Sequence, residues 1–268
     1  VSGLENLDKS RKFLSAGYHL KFTRRHETDL DYPFQRRVLE ENGHYDLAER
    51  CYYPAGIKMW TRWQTILFMP GENVVMVLTP YDLDDLDKMK KMEGLSQKAK
   101  EIVDRYNEQC QKLNEVSKKH IQQLTKEGMI TDIFPESTRS VDGYLLRAPK
   151  RAGSYFYWDR ENTYNVPISS QGLRDGWPAK AWPNIPNIVS RRIHGSMIFG
   201  EPYPAKEIWE RDFSGLQLDN KPATPVDYVM AKIAQLNWRL VKDKKTYQFY
   251  QDVLNAPLRG QISSTFAD

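Results

Sequence analysis

The stretch Ser96 to Glu127, SQKAKEIVDRYNEQCQKLNEVSKKHIQQLTKE, holds neither proline nor glycine and is rich in Lys, Glu, Gln and Leu, all good helix formers. Ala99, Ile102, Val103, Tyr106, Cys110, Leu113, Val116, Ile121 and Leu124 recur at steps of three and four, so the spacing predicts one amphipathic helix with an apolar stripe. Gly128 stands where a left-handed residue would end it. At 1.5 Å per residue the rod is roughly 48 Å long. A helix of that length either crosses a whole domain or reaches out to something else.

The elements around it predict an α+β fold. A short helix is expected from Leu7 to Ala16, stopped by Gly17, and another through Pro33 to Glu41, with Pro33 in its first turn and Gly43 after it. Between them KFTRRHETDLD reads as a surface strand or loop. Its run Arg24, Arg25, His26, Glu27 is taken as a solvated edge in preference to a phosphate or metal site. KMWTRWQTILFM (58–69) and NVVMVLT (73–79) flank Pro70-Gly71-Glu72 and predict an antiparallel hairpin over 58–79. The aspartates of DLDDLDKMKK suit the first turn of a helix, with the lysines after them, and lack the glycine and distal glutamate of a calcium loop.

Four regions are expected: 1–80 with the hairpin, 81–130 with the long helix, 131–225, and 226–268. The third opens with a strand pair near GYLLRAPKRAGSYFYW. From Pro149 to Pro225 it holds nine of the fifteen prolines, and Trp158, Trp177, Trp182 and Trp209 with them. A loop of that length is improbable inside a self-sufficient domain, and disordered segments are poor in aromatics. An extended irregular arm lying on a partner is the expectation. At the border of the fourth region Thr224-Pro225 opens a helix to about Leu254, closed by Pro257. The expected architecture is a small hairpin-based sheet packed by the long helix and the C-terminal helix.

The 39 basic and 35 acidic residues leave a net charge of +4, which gives no general reason to bind nucleic acid. All of the excess lies in 141–200, where eight Lys and Arg face four acids. The candidate interaction surface is therefore Arg147, Lys150, Arg151, Trp158, Trp177, Trp182, Arg191, Arg192 and His194. Arg191, Arg192 and His194 beside Gly195 are the most site-like group, suited to an anion. Cys51 and Cys110 make no disulfide framework, and a reducing compartment is favoured. No apolar run reaches the ~20 residues of a membrane span. Phosphate loops, serine-nucleophile elbows and zinc spacings among the five histidines are all missing. No catalytic residue, metal or cofactor is expected.

The whole chain resembles, in texture and by no diagnostic motif, the accessory subunits of mitochondrial membrane complexes, and its long helix on a compact base is similar to peripheral-stalk or dimer-associated parts of ATP synthase. The resemblance implies a non-catalytic structural subunit of ATP synthase or a respiratory-chain complex, with other subunits and lipid headgroups as partners. A start at Val1 fits a removed leader and a mitochondrial matrix or inner-membrane-associated destination. Two alternatives stand beside it. One is an organellar ribosomal or other RNA-associated protein using the basic aromatic segment 141–200. The other is an enzyme with dispersed carboxylates.

Overall fold

A computed structural model describes residues 1–28, 31–56, 73–77, 85, 88–89, 91–138, 140, 142–153, 160–173 and 195–259, with the backbone alone at Lys150 and Arg151. In chain order the elements are α1 (Leu4–Ser15), β1 (His19–Arg24), α2 (Asp31–Glu41), α3 (Tyr45–Arg50), β2 (Cys51–Gly56), β3 (Val74–Val77), α4 (Gln97–Lys126), β4 (Ile130–Ile133), β5 (Thr163–Gln171), β6 (Ser196–Phe199), β7 (Tyr203–Pro204), α5 (Glu207–Glu210), β8 (Gln217–Leu218), β9 (Lys221–Pro222), α6 (Pro225–Leu236) and α7 (Lys244–Leu254). The fold is α+β, as the sequence predicts; its sheet is mixed, with helices packed on it.

Helix α4 matches its expected bounds. Ser96 Oγ accepts the N–H of Ala99 at 3.3 Å at one end, and Gly128 takes φ 80° just beyond the other. Its buried side is carried by Cys110, Ser117 and Thr125, and Ser117 Oγ donates to Met76 O at 2.5 Å, which ties the helix to β3. Ile102, Tyr106 and Val116 of the expected stripe are exposed.

The main sheet runs in the order β3-β2-β4-β1-β5-β6, with β7 also paired to β5. Strands β1 to β5 pair in parallel, and β6 and β7 join β5 antiparallel. The first strand of the hairpin expected at 58–79 lies outside the described residues; its second, β3, pairs in parallel with β2. Leu20 and Phe22 of β1, Ile130, Val166 and Ile168 share one core with Leu7 of α1, Val38 and Leu39 of α2 and Leu47 of α3. A second core joins α6 and α7 through Val226, Val229, Ile233, Phe249, Tyr250 and Val253, and takes in Ile133 and Tyr203 of the sheet.

Two expectations are corrected. Within the supposed irregular arm, the described residues 160–173 and 195–225 fold onto their own molecule, and β5 is an interior strand flanked by β1. Pro167 disguised it, because a proline argues against an interior strand. It is tolerated because it falls between the registers of β7, at 164–165, and β6, at 168–171. The C-terminal helix is also two helices. Asn237 and a 3₁₀ turn at Trp238–Leu240 interrupt it, and Asp243 Oδ1 accepts the N–H of Thr246 at 2.8 Å to start α7 afresh.

Candidate active site

Parallel pairing sets the carboxyl ends of β1, β4 and β5 side by side, with Thr23 opposite both Ile133 and Pro167. That edge of an open parallel sheet is where bound ligands lie in such folds. Two loops leave it here: 25–28, leading from β1 into α2, and the stretch after β4 that begins Phe134-Pro135-Glu136.

The His26 ring sits between them. Its Nδ1 is 2.8 Å from Asp31 Oδ2. The same oxygen accepts the backbone N–H of Glu27 at 2.8 Å and of Thr28 at 3.0 Å. An oxygen already taking two N–H groups acts as an acceptor, so Nδ1 donates and Nε2 keeps the lone pair. The ring stacks on Phe134 with centroids 4.0 Å apart and planes at 17°. The backbone is held from the other loop: His26 N–H donates to Glu136 Oε2 at 2.7 Å, and Ser140 N–H donates to His26 O at 3.2 Å. Tied at its backbone, one face and one nitrogen, the side chain still keeps 12% exposure, whereas Asp31 has none.

A layer of buried charge supports the pair. Arg24 lies over the rings of Tyr32 and Phe134 at 4.9 and 4.8 Å, donates from Nε to Asp132 Oδ1 at 3.1 Å and from Nη1 to the carbonyl of Asp31 at 2.6 Å. Arg24 and Asp132 are both fully buried. Arg25 pairs with Glu27 at 3.1 Å and donates to the carbonyl of Gly143 at 2.8 Å. Glu136 accepts a second backbone N–H, from Leu146, at 2.6 Å. Burial pushes the Glu136 carboxyl up to about 8 against those two bonds and Arg25. Burial likewise lifts Asp132 to about 6, with Arg24 opposing.

Those two groups give stability a pH dependence. Below their unfolded values, 4.5 and 3.8, both are protonated in either state. As pH rises the unfolded chain releases protons that the folded chain retains, so folding becomes less favourable up to about pH 6 for Asp132 and about pH 8 for Glu136. His44, lowered by burial and then by Arg11, works the other way near neutrality. Comparison with Glu136→Gln isolates the carboxyl. Gln offers one acceptor where two N–H groups need one, so the variant is less stable at pH 5, by about 1–3 kcal/mol. Its midpoint in urea should fall less than that of the parent between pH 6 and pH 8. Equal slopes would show that Glu136 does not titrate in that window.

The loop expected to be a solvated edge is thus interior: Arg24, Arg25 and Glu27 are 0%, 1% and 3% exposed. The reason is β1's place inside the sheet, which buries its outgoing loop under the loops of its neighbours. Of the residues expected to form an interaction surface, three are among the described ones. Arg147 is engaged within the molecule by Asp227. Lys150 and Arg151 are in a 3₁₀ turn, and Trp158, Trp177, Trp182, Arg191, Arg192 and His194 lie outside the described residues. Among the described residues no group of His, Cys, Asp and Glu side chains is placed to hold a metal ion.

No family model matches the sequence, and no curated protein matches it. Among solved structures, the 1-acyl-sn-glycerophosphate (LPA) acyltransferase PlsC from Thermotoga maritima is similar, with 14% identity and a TM-score of 0.42 over 85% of this chain and 69% of that one. That structure is of an enzyme. The expected non-catalytic accessory subunit of ATP synthase or a respiratory-chain complex is withdrawn in favour of the reading that the His26–Asp31 pair supports.

Proposed function

We propose that this chain is an enzyme that transfers an acyl group from an activated donor to a hydroxyl of an acceptor. His26 is the general base and Asp31 its orienting partner. The observation that carries this is the 2.8 Å contact of Nδ1 with Asp31 on a ring otherwise fixed but still open to solvent. A histidine held by a carboxylate serves acyl transfer on several unrelated folds, where it takes the proton of a serine or cysteine. Among the described residues no such side chain is hydrogen-bonded to the His26 ring, so the hydroxyl it serves is the acceptor's own. The acceptor O–H gives its proton to Nε2 as its oxygen attacks the acyl carbonyl. The bond to the leaving group then breaks, and the imidazolium returns the proton to that group. Asp31 stabilises the imidazolium between the two transfers. The T. maritima enzyme is named for the same class of reaction; for this chain the His26–Asp31 pair alone supports it.

The test uses acyl thioesters as donors with a panel of small alcohols and polyol phosphates as acceptors. Free thiol is followed with time, and the ester product by mass. Thiol release that requires an acceptor and yields its ester is the expected result. Release at the same rate in water alone would make the chain a thioester hydrolase, and no release with any pair would remove the reading.

A further inference from the structure

Helix α4 keeps an apolar row that is largely exposed among the described residues. Ile102 is 60% exposed, Tyr106 45% and Val116 64%, and just upstream Met89 and Met92 are 43% and 57% exposed. Apart from Val1, every large aliphatic side chain exposed among the described residues falls between 89 and 116. Beside this row runs a basic one. Lys98, Arg105, Lys112, Lys119 and Lys126 recur every seven residues, and all are exposed. Seven residues are nearly two full turns, so they share one side of the rod. Arg105 and Lys119, three residues beyond Ile102 and Val116, lie about 60° round the helix from them. Glu101 and Glu115, one residue before, lie about 100° round on the same side. From the apolar row the cations are met first, and Glu108 stands behind Lys112 in a pair at 2.7 Å.

We propose that the outer face of α4, with Met89 and Met92, docks this protein on an anionic lipid surface. An apolar row bordered by Lys and Arg on a long helix is the pattern that lies in the plane of a bilayer's headgroups. Among the described residues no helix is long and apolar enough to cross a membrane, and the Cys110, Ser117 and Thr125 side of α4 is occupied by the molecule itself. Charge argues against a second copy as the occupant. In a two-fold pairing of antiparallel helices, each basic row meets the other copy's basic row; in a parallel pairing it meets the side by which the helix packs on its own fold. The proposal does not depend on the acyl-transfer reading.

The test is flotation of the full chain with vesicles of phosphatidylcholine alone and of phosphatidylcholine with phosphatidylglycerol. Binding to the anionic vesicles only, weakened by salt, is expected. Replacing Lys98, Arg105, Lys112 and Lys119 together with glutamine should weaken it by about 100-fold or more, at about fivefold for each cation. Ile102→Asp with Val116→Asp should abolish it, with the thermal melt of both variants close to that of the parent because all six positions are exposed. Equal binding to neutral vesicles, or glutamine variants that bind as the parent does, would overturn the proposal. So would a dimer in solution that the two aspartates dissociate, with no vesicle binding at all.

Discussion

Replacement of His26 by alanine is expected to lower acyl transfer by about 10²–10⁴-fold, the range that a positioned general base contributes. The fold should be little affected. Asp31 Oδ2 retains the N–H groups of Glu27 and Thr28 when the ring is gone, so no buried acceptor is orphaned. The loss is one hydrogen bond and a stacking contact with Phe134, about 1 kcal/mol in stability. Asp31→Asn makes a finer distinction. An asparagine oxygen in the place of Oδ2 accepts the same three hydrogen bonds, Nδ1 of His26 among them, and the amide NH₂ falls where Oδ1 now has no partner among the described residues. Tautomer and ring position are kept; the negative charge facing the imidazolium is lost. The rate should fall by about tenfold, the difference between a charge-assisted and a neutral hydrogen bond. A rate unchanged in both variants, with thiol release intact, would show that the dyad is structural.

How much of this could be read beforehand followed from how local each signal is. The start of the long helix at Ser96, its stop at Gly128 and the opening of α6 at Thr224-Pro225 are written within a few residues, and each lies where the sequence places it. The division of α6 from α7 is not, because apolar spacing runs on through Leu236 and Leu240 while the chain turns at Asn237. The candidate site is less local still. Arg24, Arg25, His26 and Glu27 look solvated until β1 is known to lie between β4 and β5, and those strands come from more than a hundred residues further along. A search for paired histidines, cysteines and serine elbows passes over a dyad of this form. The available signal was slight: a histidine leaving a strand, and an aspartate five residues on that opens a helix. Phe134 and Glu136, just past the strand ITDI, had no local mark to join them to it.

Arg147 separates a surface role from a structural one. It was expected on an exposed interaction surface, yet Nε and Nη2 meet the two oxygens of Asp227 at 2.9 Å each. Nη1 donates to the carbonyls of Leu218 and Lys221 at 3.1 and 3.3 Å, and Nη2 to that of Pro222 at 2.8 Å. The guanidinium thereby holds the β8–β9 turn against the start of α6. Asp227 is fully buried and also accepts from Thr224 N and Oγ1 at 2.7 and 2.9 Å, closing the capping box of α6. Arg147→Ala leaves that carboxylate buried with its cap bonds but no counter-charge. The expected loss is about 3–5 kcal/mol, as when one partner of a buried pair is removed. Arg147→Lys keeps a charge but not the two-pronged geometry and should recover only part of it. Urea unfolding gives the measurement, and transfer activity of the folded fraction should be unchanged, the reverse of the His26 result. An unaltered midpoint would return Arg147 to the surface role. Arg147→Ala combined with Asp227→Ala should cost less than the sum of the two changes, because the second removal relieves the charge that the first leaves unpaired.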